Sequence, residues 1–498
     1  MTAETSFELA VAGRKTELIP GTRGRFVGWT LLMLTLLLWP LLVFGRPAYF
    51  PDSLSYYKGG QAAIAFVHSK VSPPSTGAGA GKPQSRELPR EVQEARGARS
   101  IAYSILTFIF AAPGVTLAGL ALLQAALLAT ILSLTWPILG FTSRVQATAF
   151  SAVIAFGTPA AWYACFAMPD ILAGVAILAL ALLLGAHRRM AASAKIWCGL
   201  VAALSLASHP SHLAIGLILA GLAFGAAAWA WLRTRSAAVF RGSIYCASAV
   251  LLGVLIVLGS GYIGFHEVSL APKRYPLTLA RSIEDGPARW YLERSCTVKH
   301  YEICKIYNNR IPARSFDLLW GPQGLSRIGT PQQIERIRLE EPEILLAAAR
   351  AYPSQQAAAA VGGTVTQILQ FGLGEASFAN RIVHASNGEL QFEAVGEPHA
   401  WIRRWLDRAS LGLVVLSVLI LIGRLRRRSE NLPVISAILI GLAANAAVCA
   451  IFSASAARYQ ARVIWLLPIC AAASLRRRRD DQEAPSNETS HPIDAAAQ

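Results

Sequence analysis

Phe26-Val27-Gly28-Trp29-Thr30-Leu31-Leu32-Met33-Leu34-Thr35-Leu36-Leu37-Leu38-Trp39-Pro40-Leu41-Leu42-Val43-Phe44-Gly45 is an apolar run closed by Arg46 and then by Tyr49-Phe50-Pro51-Asp52-Ser53-Leu54-Ser55-Tyr56-Tyr57-Lys58. About 20 apolar residues in helical form span the hydrocarbon core of a bilayer. Arg23 and Arg25 precede the run and no small-x-small cleavage site follows it, so it reads as an uncleaved first helix with a cytoplasmic N-terminus. The stretch after it then stands where a helix leaves the membrane. Pro51 has no N–H to donate and resists continuing a helix, which sets Asp52 on a short non-helical shelf at the membrane surface. A carboxylate there is partly desolvated and can serve as a base or a cation ligand. The plain alternative is a polar turn in which Asp52 caps a helix through Ser55.

Composition places the rest of the chain in the same class. Of 498 residues, 54% are hydrophobic and 15% charged, against about 25% charged in soluble domains. Repeated apolar runs of span length predict an all-α polytopic membrane protein with roughly ten transmembrane helices. The net charge of +17 would suggest nucleic acid in a soluble protein. Here the basic residues cluster at the ends of apolar runs and read as topology signals, so no nucleic-acid partner is expected.

Threading by those clusters is self-consistent. Residues 1–25 form a cytoplasmic tail, and residues 26–265 an N-terminal bundle with an external loop over 46–100. Within that loop Ser72 to Pro83 reads as flexible and Arg86 to Arg99 as a surface helix. Ile101 to Ala112 is too short to span; it reads as interfacial or as the outer part of a kinked helix with Val115 to Trp136. Residues 266–408 form an external mixed segment, in which the Ala-rich run Gln355 to Phe371 suggests an interfacial helix. Residues 409–475 hold the last spans and residues 476–498 a cytoplasmic tail. Arg144, Arg188–Arg189, Arg233–Arg241, Arg424–Arg428 and Arg476–Arg479 all fall on one side. Asp52, Asp170, the His209 turn and the Arg458 turn fall on the other.

That outer side holds the candidates for chemistry. Asp170 repeats the Pro-Asp context of Asp52 in Met168-Pro169-Asp170. Two carboxylates on one face can divide roles, one accepting a proton and one orienting a substrate or cation. Asp170 as an N-cap for a helix starting at Ile171 explains it equally well. His209 and His212 flank Pro210 between apolar runs, where a polar break needs water or protein partners. Pro210 spoils the single-helix geometry of the usual metal-binding His pair, so substrate lining ranks above metal ligation. Arg458, Tyr459 and Arg462 start the last span on the outer side. Arginines there run against the positive-inside tendency, and guanidinium forks match phosphate oxygens; snorkelling is the plain alternative. Arg46 and Lys58 add positive charge beside Asp52. No P-loop, Gly-x-Ser-x-Gly elbow, CxxC pair or HExxH helix is present. Of the seven cysteines, Cys296 and Cys304 alone lie in a polar segment, and an oxidising outer compartment would favour a disulfide between them.

At four places the chain resembles the GT-C superfamily of polytopic membrane glycosyltransferases that use lipid-phosphate sugars. Tyr49 to Tyr57 looks like the acidic motif of the first external loop. Met168 to Gly174 looks like the second acidic turn. Ser205 to Leu213 is similar to the polar break between central helices, and Arg458 to Arg462 with Pro468 to the Arg-Tyr turn before the last helix. The resemblance implies a GT-C-like fold and an inverting hexosyl or pentosyl transfer from a polyprenyl-phosphate sugar to a lipid, glycan or protein acceptor. Asp52 would be the general base and Asp170 a second acid near the sugar. Arg458 and Arg462 would meet the leaving lipid phosphate, and Tyr56, Tyr57, Lys58, His209, His212 and Tyr459 would contact substrate. Asp52 has no second acidic residue beside it, which leaves the need for a divalent metal open; no other cofactor is implied. The setting would be a bacterial inner membrane with the site facing the periplasm. The competing reading is a lipid or small-molecule transporter or flippase. Transporters collect polar groups near the midplane and often repeat their halves, whereas here the candidates sit at outer helix ends.

Overall fold

The computed structural model describes residues 22–71, 100–112, 115–141, 143–265, 268–270, 274–386, 389–424 and 429–476. The expected loop at 72–83, the surface helix at 86–99, Arg426 to Arg428, Arg477 to Arg479 and nearly all of both tails lie outside the described residues. In chain order the helices are α1 (Thr22–Leu37), α2 (Trp39–Phe44), α3 (Pro51–Val71), α4 (Ile101–Ile109), α5 (Ala118–Ile138), α6 (Arg144–Gly157), α7 (Ala160–Ala164), α8 (Asp170–Gly185), α9 (Ala192–Ala207), α10 (Pro210–Thr234) and α11 (Arg241–Phe265). The polar segment contributes α12 (Leu277–Asp285), α13 (Pro287–Lys299), α14 (Glu302–Ile306), α15 (Ser315–Leu319), α16 (Leu325–Ile328), α17 (Pro331–Ala351) and α18 (Pro353–Leu369). A hairpin of β1 (Asn380–His384) and β2 (Leu390–Ala394) follows, then α19 (Ala400–Arg424), α20 (Leu432–Phe452), α21 (Ala457–Ile464) and α22 (Leu466–Ser474).

This is an all-α membrane protein. Among the described residues, five helices are long and apolar enough to cross a bilayer: Ala118–Ile138, Pro210–Thr234, Ala237–Ile263, Ala400–Arg424 and Leu432–Phe452. Three shorter apolar helices accompany them, at Phe26–Leu37, Asp170–Gly185 and Ala192–Ala207. Two apolar stretches, Val145 to Phe166 and Val463 to Ala473, are each divided into two helices. Thr158-Pro159 separates α6 from α7, and Trp465 separates α21 from α22. Among its described residues the segment 266–408, expected to be mixed, has helices and one antiparallel hairpin, which pairs Asn380 with Ala394 and His384 with Leu390.

The bundle is built around α8. Every residue from Asp170 to Leu183 is buried, as an all-round apolar helix demands. It packs against α5, α9, α11, α20 and α21. A methyl group at Gly174 would come 2.7 Å from the Trp465 ring, so only glycine lets α8 approach the break between α21 and α22 this closely. The run Ile101 to Ala112 is not the outer part of a kinked helix with Val115 to Trp136, because Ile101–Ile109 and Ala118–Ile138 are separate helices. It forms α4, packs lengthwise on α3, and turns back where Ala112 N–H donates to Thr116 O at 2.8 Å.

A second core belongs to the polar segment, with Leu279, Ile283, Leu292, Ile303, Leu318 and Ile337 at its centre. Thr330 and Gln333 close a capping box at the start of α17. Buried Glu341 accepts from Leu279 N–H at 2.9 Å and pairs with Arg274. Cys296 and Cys304 are joined in a disulfide with Cα atoms 5.6 Å apart, as their isolation in this segment suggested. The Ala-rich helix α18 lays one face on α20 and leaves Val361, Val365 and Leu369 exposed on the other.

Candidate functional site at one end of the bundle

The two Pro-Asp turns are stitched to each other. Ala48 N–H donates to Cys165 O at 3.0 Å and Ala167 N–H to Ala48 O at 2.9 Å. Ser53 Oγ accepts from Phe50 N–H at 3.0 Å and donates to Ala167 O at 2.9 Å. Pro51 is the first residue of α3, so Asp52 stands in a helical first turn and not on a non-helical shelf. Proline at that position is favourable because its missing N–H is one the helix leaves unpaired anyway. Behind the turns, Tyr103 Oη donates to Gln124 Oε1 at 2.9 Å, and Gln124 Nε2 donates to Phe166 O at 2.8 Å and Ala164 O at 3.2 Å. Tyr56 packs its edge on Tyr103 and is 2% exposed, a packing position.

Asp170 is not an N-cap. The helix starts at Asp170 itself, Pro169 occupies the cap, and no side chain caps the first turn. The Asp170 carboxylate instead meets Arg462 Nη1 at 3.5 Å, with both side chains almost wholly buried. Its place in the first turn also aligns it with the positive end of the α8 dipole.

Arg458, Tyr459 and Arg462 lie on α21; the two arginines share one face at i and i+4, and the Tyr459 ring lies 4.8 Å from one guanidinium and 5.1 Å from the other. Arg462 is fully engaged by the protein. Nη2 donates to Asn445 Oδ1 at 2.9 Å, to Ser211 Oγ at 3.2 Å and to Cys449 Sγ at 3.3 Å, and Nε reaches Asn445 Oδ1 at 3.3 Å. Arg458 differs. Its guanidinium stacks 4.2 Å above the Phe50 ring and 4.8 Å from that of Tyr459. Nη2 donates to Tyr459 Oη at 3.1 Å, and Glu375 Oε2 stands 3.4 Å from Nε. Nε and Nη1 are buried and make no hydrogen bond. Buried donors left this way are costly, so the group is set to receive an acceptor. Phe50 thus links the first acidic turn to Arg458, and its ring also meets Phe166 of the second turn.

The histidine turn closes a third side. Ser211 N–H donates to His209 Nδ1 at 3.2 Å, and the Ser211 hydroxyl lies 2.8 Å from the same nitrogen. Because Ser211 Oγ accepts from Arg462, its proton points to His209, which fixes Nδ1 as an acceptor and leaves the ring proton on Nε2. His212 has the other tautomer. Nδ1 faces Ser205 O at 3.0 Å and must carry the proton, so Nε2 is a buried acceptor with no hydrogen-bond partner. The rings are 5.3 Å apart.

The end of α18 and the segment after it roof the site. Gln367 forms a two-bond pair with Ala456 at 2.9 Å each way. Trp162 Nε1 donates to Ala376 O at 2.7 Å, and Tyr163 Oη to Gly372 O at 3.4 Å. Arg46 is drawn into this roof: its guanidinium holds Phe378 O at 2.6 Å and Asn380 O at 3.2 Å, so it anchors the hairpin and does not add free charge beside Asp52.

Of the residues singled out from sequence, Asp170, His209, His212, Arg458, Tyr459 and Arg462 converge, and the turn that carries Asp52 meets them through Phe50 and Ser53. Tyr57 is half-buried against Phe108, and Lys58 is exposed on α3. Sequence reasoning missed Asn445, Ser211, Phe50 and Glu375. A lone Asn inside an apolar span is a usable signal for Asn445, since polar groups at that depth need partners. Glu375 carried none. Among the described residues no group of three or more His, Cys, Asp or Glu side chains is set to hold a metal ion.

The opposite end of the bundle is basic. Asn431 Nδ2 donates to Leu139 O and Ala473 O at 3.2 Å each, and Arg189 Nη1 donates to Asn431 Oδ1 at 2.8 Å. The ends of α5, α8, α20 and α22 therefore meet there, bringing Arg189 and Arg476 to one side. No protein-family model matches the chain, and no curated protein and no solved structure matches it.

Proposed function

We propose that this protein is a membrane glycosyltransferase that takes a sugar from a polyprenyl-phosphate donor and transfers it to a lipid, glycan or protein acceptor. The observation that carries the reading is Arg458. It is a buried guanidinium with two donors lacking hydrogen bonds, and it lies on the same aromatic ring, Phe50, that leads into the Asp52 turn. An anion of tetrahedral geometry would satisfy those donors. Arg462 acts as a buttress: its donors are taken by Asp170, Asn445, Ser211 and Cys449. Asp170 orients Arg462, and through Ser211 the same guanidinium fixes the His209 tautomer. His212 Nε2 would accept from a donor hydroxyl.

In this reading Asp52 takes the acceptor's O–H proton. The acceptor oxygen bonds to the anomeric carbon from the side opposite the lipid, the anomeric C–O bond to phosphate breaks, and the released phosphate keeps the electron pair beside Arg458. Attack from the opposite side inverts the anomeric centre. The proposal includes a ten-span path that counts the shorter and broken apolar helices, a bacterial inner membrane, and a periplasmic site. Segregation of Arg189 and Arg476 to the end away from the site supports that orientation. The flippase reading is the weaker one, because most of the polar groups, Asp170, His209, Ser211 and Arg458 among them, gather at helix starts and not along a path between them.

The test is transfer by the purified full chain with a panel of polyprenyl-phosphate sugars, comparing parent with Asp52→Asn. The substitution keeps the size of the side chain and removes the base. Transfer should fall about 10²–10⁴-fold with unfolding unchanged. A parent that transfers no sugar from any donor in the panel, or an Asp52→Asn variant with parental rates, rules out the mechanism.

A further inference from the structure

A groove at the basic end of the bundle uses none of the residues of the candidate site. It is about 460 Å³ in volume and lies between α6 and the residues that follow α22, within the range of roughly 300–1,000 Å³ typical of small-ligand sites. Its floor is aromatic and apolar: Phe141, Phe150, Val153 and Leu475. The floor is rigid. Trp136 stacks on Phe150 and meets Phe141 edge-on, Phe141 meets Phe150 edge-on, and Trp136 Nε1 is held by Ser151 Oγ at 2.7 Å.

The polar lining is confined to one end. Gln146, in the first turn of α6, and Arg476, just past α22, both line the groove. Arg476 is half-buried with its guanidinium 4.5 Å above the Phe141 ring. Among the described residues no carboxylate pairs with it and its guanidinium makes no hydrogen bond. Gln146, Phe150 and Val153 follow one face of α6, so the groove runs about 10 Å along the helix from a cationic mouth to an apolar tail. The mouth lies at the end of the bundle that holds Arg189 and Arg476; on the proposed threading this end is the membrane surface, and the tail runs toward the bilayer interior. Val145, Val153 and Phe156 are exposed on this side of α6, an apolar surface suited to lipid contact.

A half-desolvated cation over an aromatic ring, above an apolar channel directed into the bilayer, matches a molecule with an anionic head and a hydrocarbon tail. We infer that this groove binds an anionic phospholipid of the surrounding membrane, its phosphate on Arg476 and Gln146 and one acyl chain along Phe150, Val153 and Leu475. Basic pockets between helix ends at this membrane face are suited to such headgroups.

The test is native mass spectrometry of the full chain in detergent with added phosphatidylglycerol or phosphatidylcholine. One phosphatidylglycerol should be retained in preference to phosphatidylcholine. Arg476→Gln should weaken that retention about fivefold, the worth of one arginine at an anionic lipid surface. Arg476→Lys should restore most of it. Val153→Trp, which fills the channel, should lower retention while thermal unfolding in phosphatidylcholine stays parental, so that a folding defect is distinguished from a blocked site. Equal retention of the two lipids, or unchanged phosphatidylglycerol retention in Arg476→Gln, would mean ordinary lipid contact and overturn the inference. So would preferential retention that appears only after residues 480–498 are removed, since Asp480, Asp481 and Glu483 would then be the anion that Arg476 meets.

Discussion

The Asp170–Arg462 pair offers the sharpest energetic test of the site. Both side chains are almost completely buried, at 4% and 2% exposure, with the charges 3.5 Å apart. Removing one member of a buried pair costs about 3–5 kcal/mol, because the other charge stays buried without its counter-ion. In Asp170→Ala the stranded guanidinium keeps Asn445, Ser211 and Cys449 as neutral acceptors, which points to the lower end, about 3 kcal/mol. In Arg462→Met the stranded carboxylate keeps only the N-terminal end of α8, worth about 0.3–1 kcal/mol at exposed sites and up to ~2 kcal/mol in partly buried ones. That substitution also releases Ser211 and Asn445, so its loss should approach the upper end, about 4 kcal/mol. The double variant strands no charge. It should lose less than the sum of the singles by about 2–3 kcal/mol. The assay is unfolding by denaturing detergent in mixed micelles, followed by the fluorescence of the chain's 12 tryptophans, among them Trp465, which donates to Arg462 O at 2.9 Å. Losses that add to within about 0.5 kcal/mol would mean that the two charges do not depend on each other, and the assignment of Asp170 as the residue that orients Arg462 would fall.

Three further outcomes follow from named contacts. Arg458→Ala should weaken lipid-donor binding by about one to two orders of magnitude, the worth of a charge-assisted hydrogen bond, and Glu375→Gln should not weaken it, since Glu375 competes with the phosphate for Nε; binding unchanged in Arg458→Ala makes the arginine an interfacial anchor only. The Cys296–Cys304 disulfide closes a separation of 8 residues, so Cys296→Ser should lower the stability of the polar segment by about 2.5 kcal/mol on the loop-entropy account; protease resistance of that segment with and without reductant reads the effect, and an insensitive segment refutes it. The remaining free cysteines among the described residues are all buried, so cysteines introduced at Gln323 and Gln498 can be labelled cleanly in intact cells with an impermeant maleimide. Gln323→Cys should react and Gln498→Cys should not; labelling of both would overturn the threading and the proposed side of the site.

Much of the site was legible because its residues break local rules. Asp52 and Asp170 follow prolines at the ends of apolar runs, His209 and His212 flank a proline between apolar runs, and Arg458 and Arg462 stand at a helix end where topology disfavours them. Each breach is visible in one dimension. What could not be read is partnership. Asp170 looks equally like a cap until α21 is seen to bring Arg462 to it. Arg458 and Arg462, four residues apart, look equivalent. Only packing shows that one is satisfied by Asn445 and Ser211 while the other keeps donors in reserve. Arg46 reads as charge beside Asp52, and only the return of the chain more than three hundred residues later supplies the carbonyls of Phe378 and Asn380 that take it up.

Hydrophobic periodicity and length alone determined an all-α membrane protein, since a bilayer admits only helices or closed barrels and about 20 apolar residues fix a span. Cysteine placement likewise pointed to the one disulfide, because polarity sorts thiols between bilayer and water before any fold exists. Which helix is central, which acidic turn touches which, and which arginine has an open hydrogen bond were decided by tertiary structure. Those are contacts between residues distant in the chain, and their energies depend on burial and on distances of a few tenths of an ångström that no local pattern encodes.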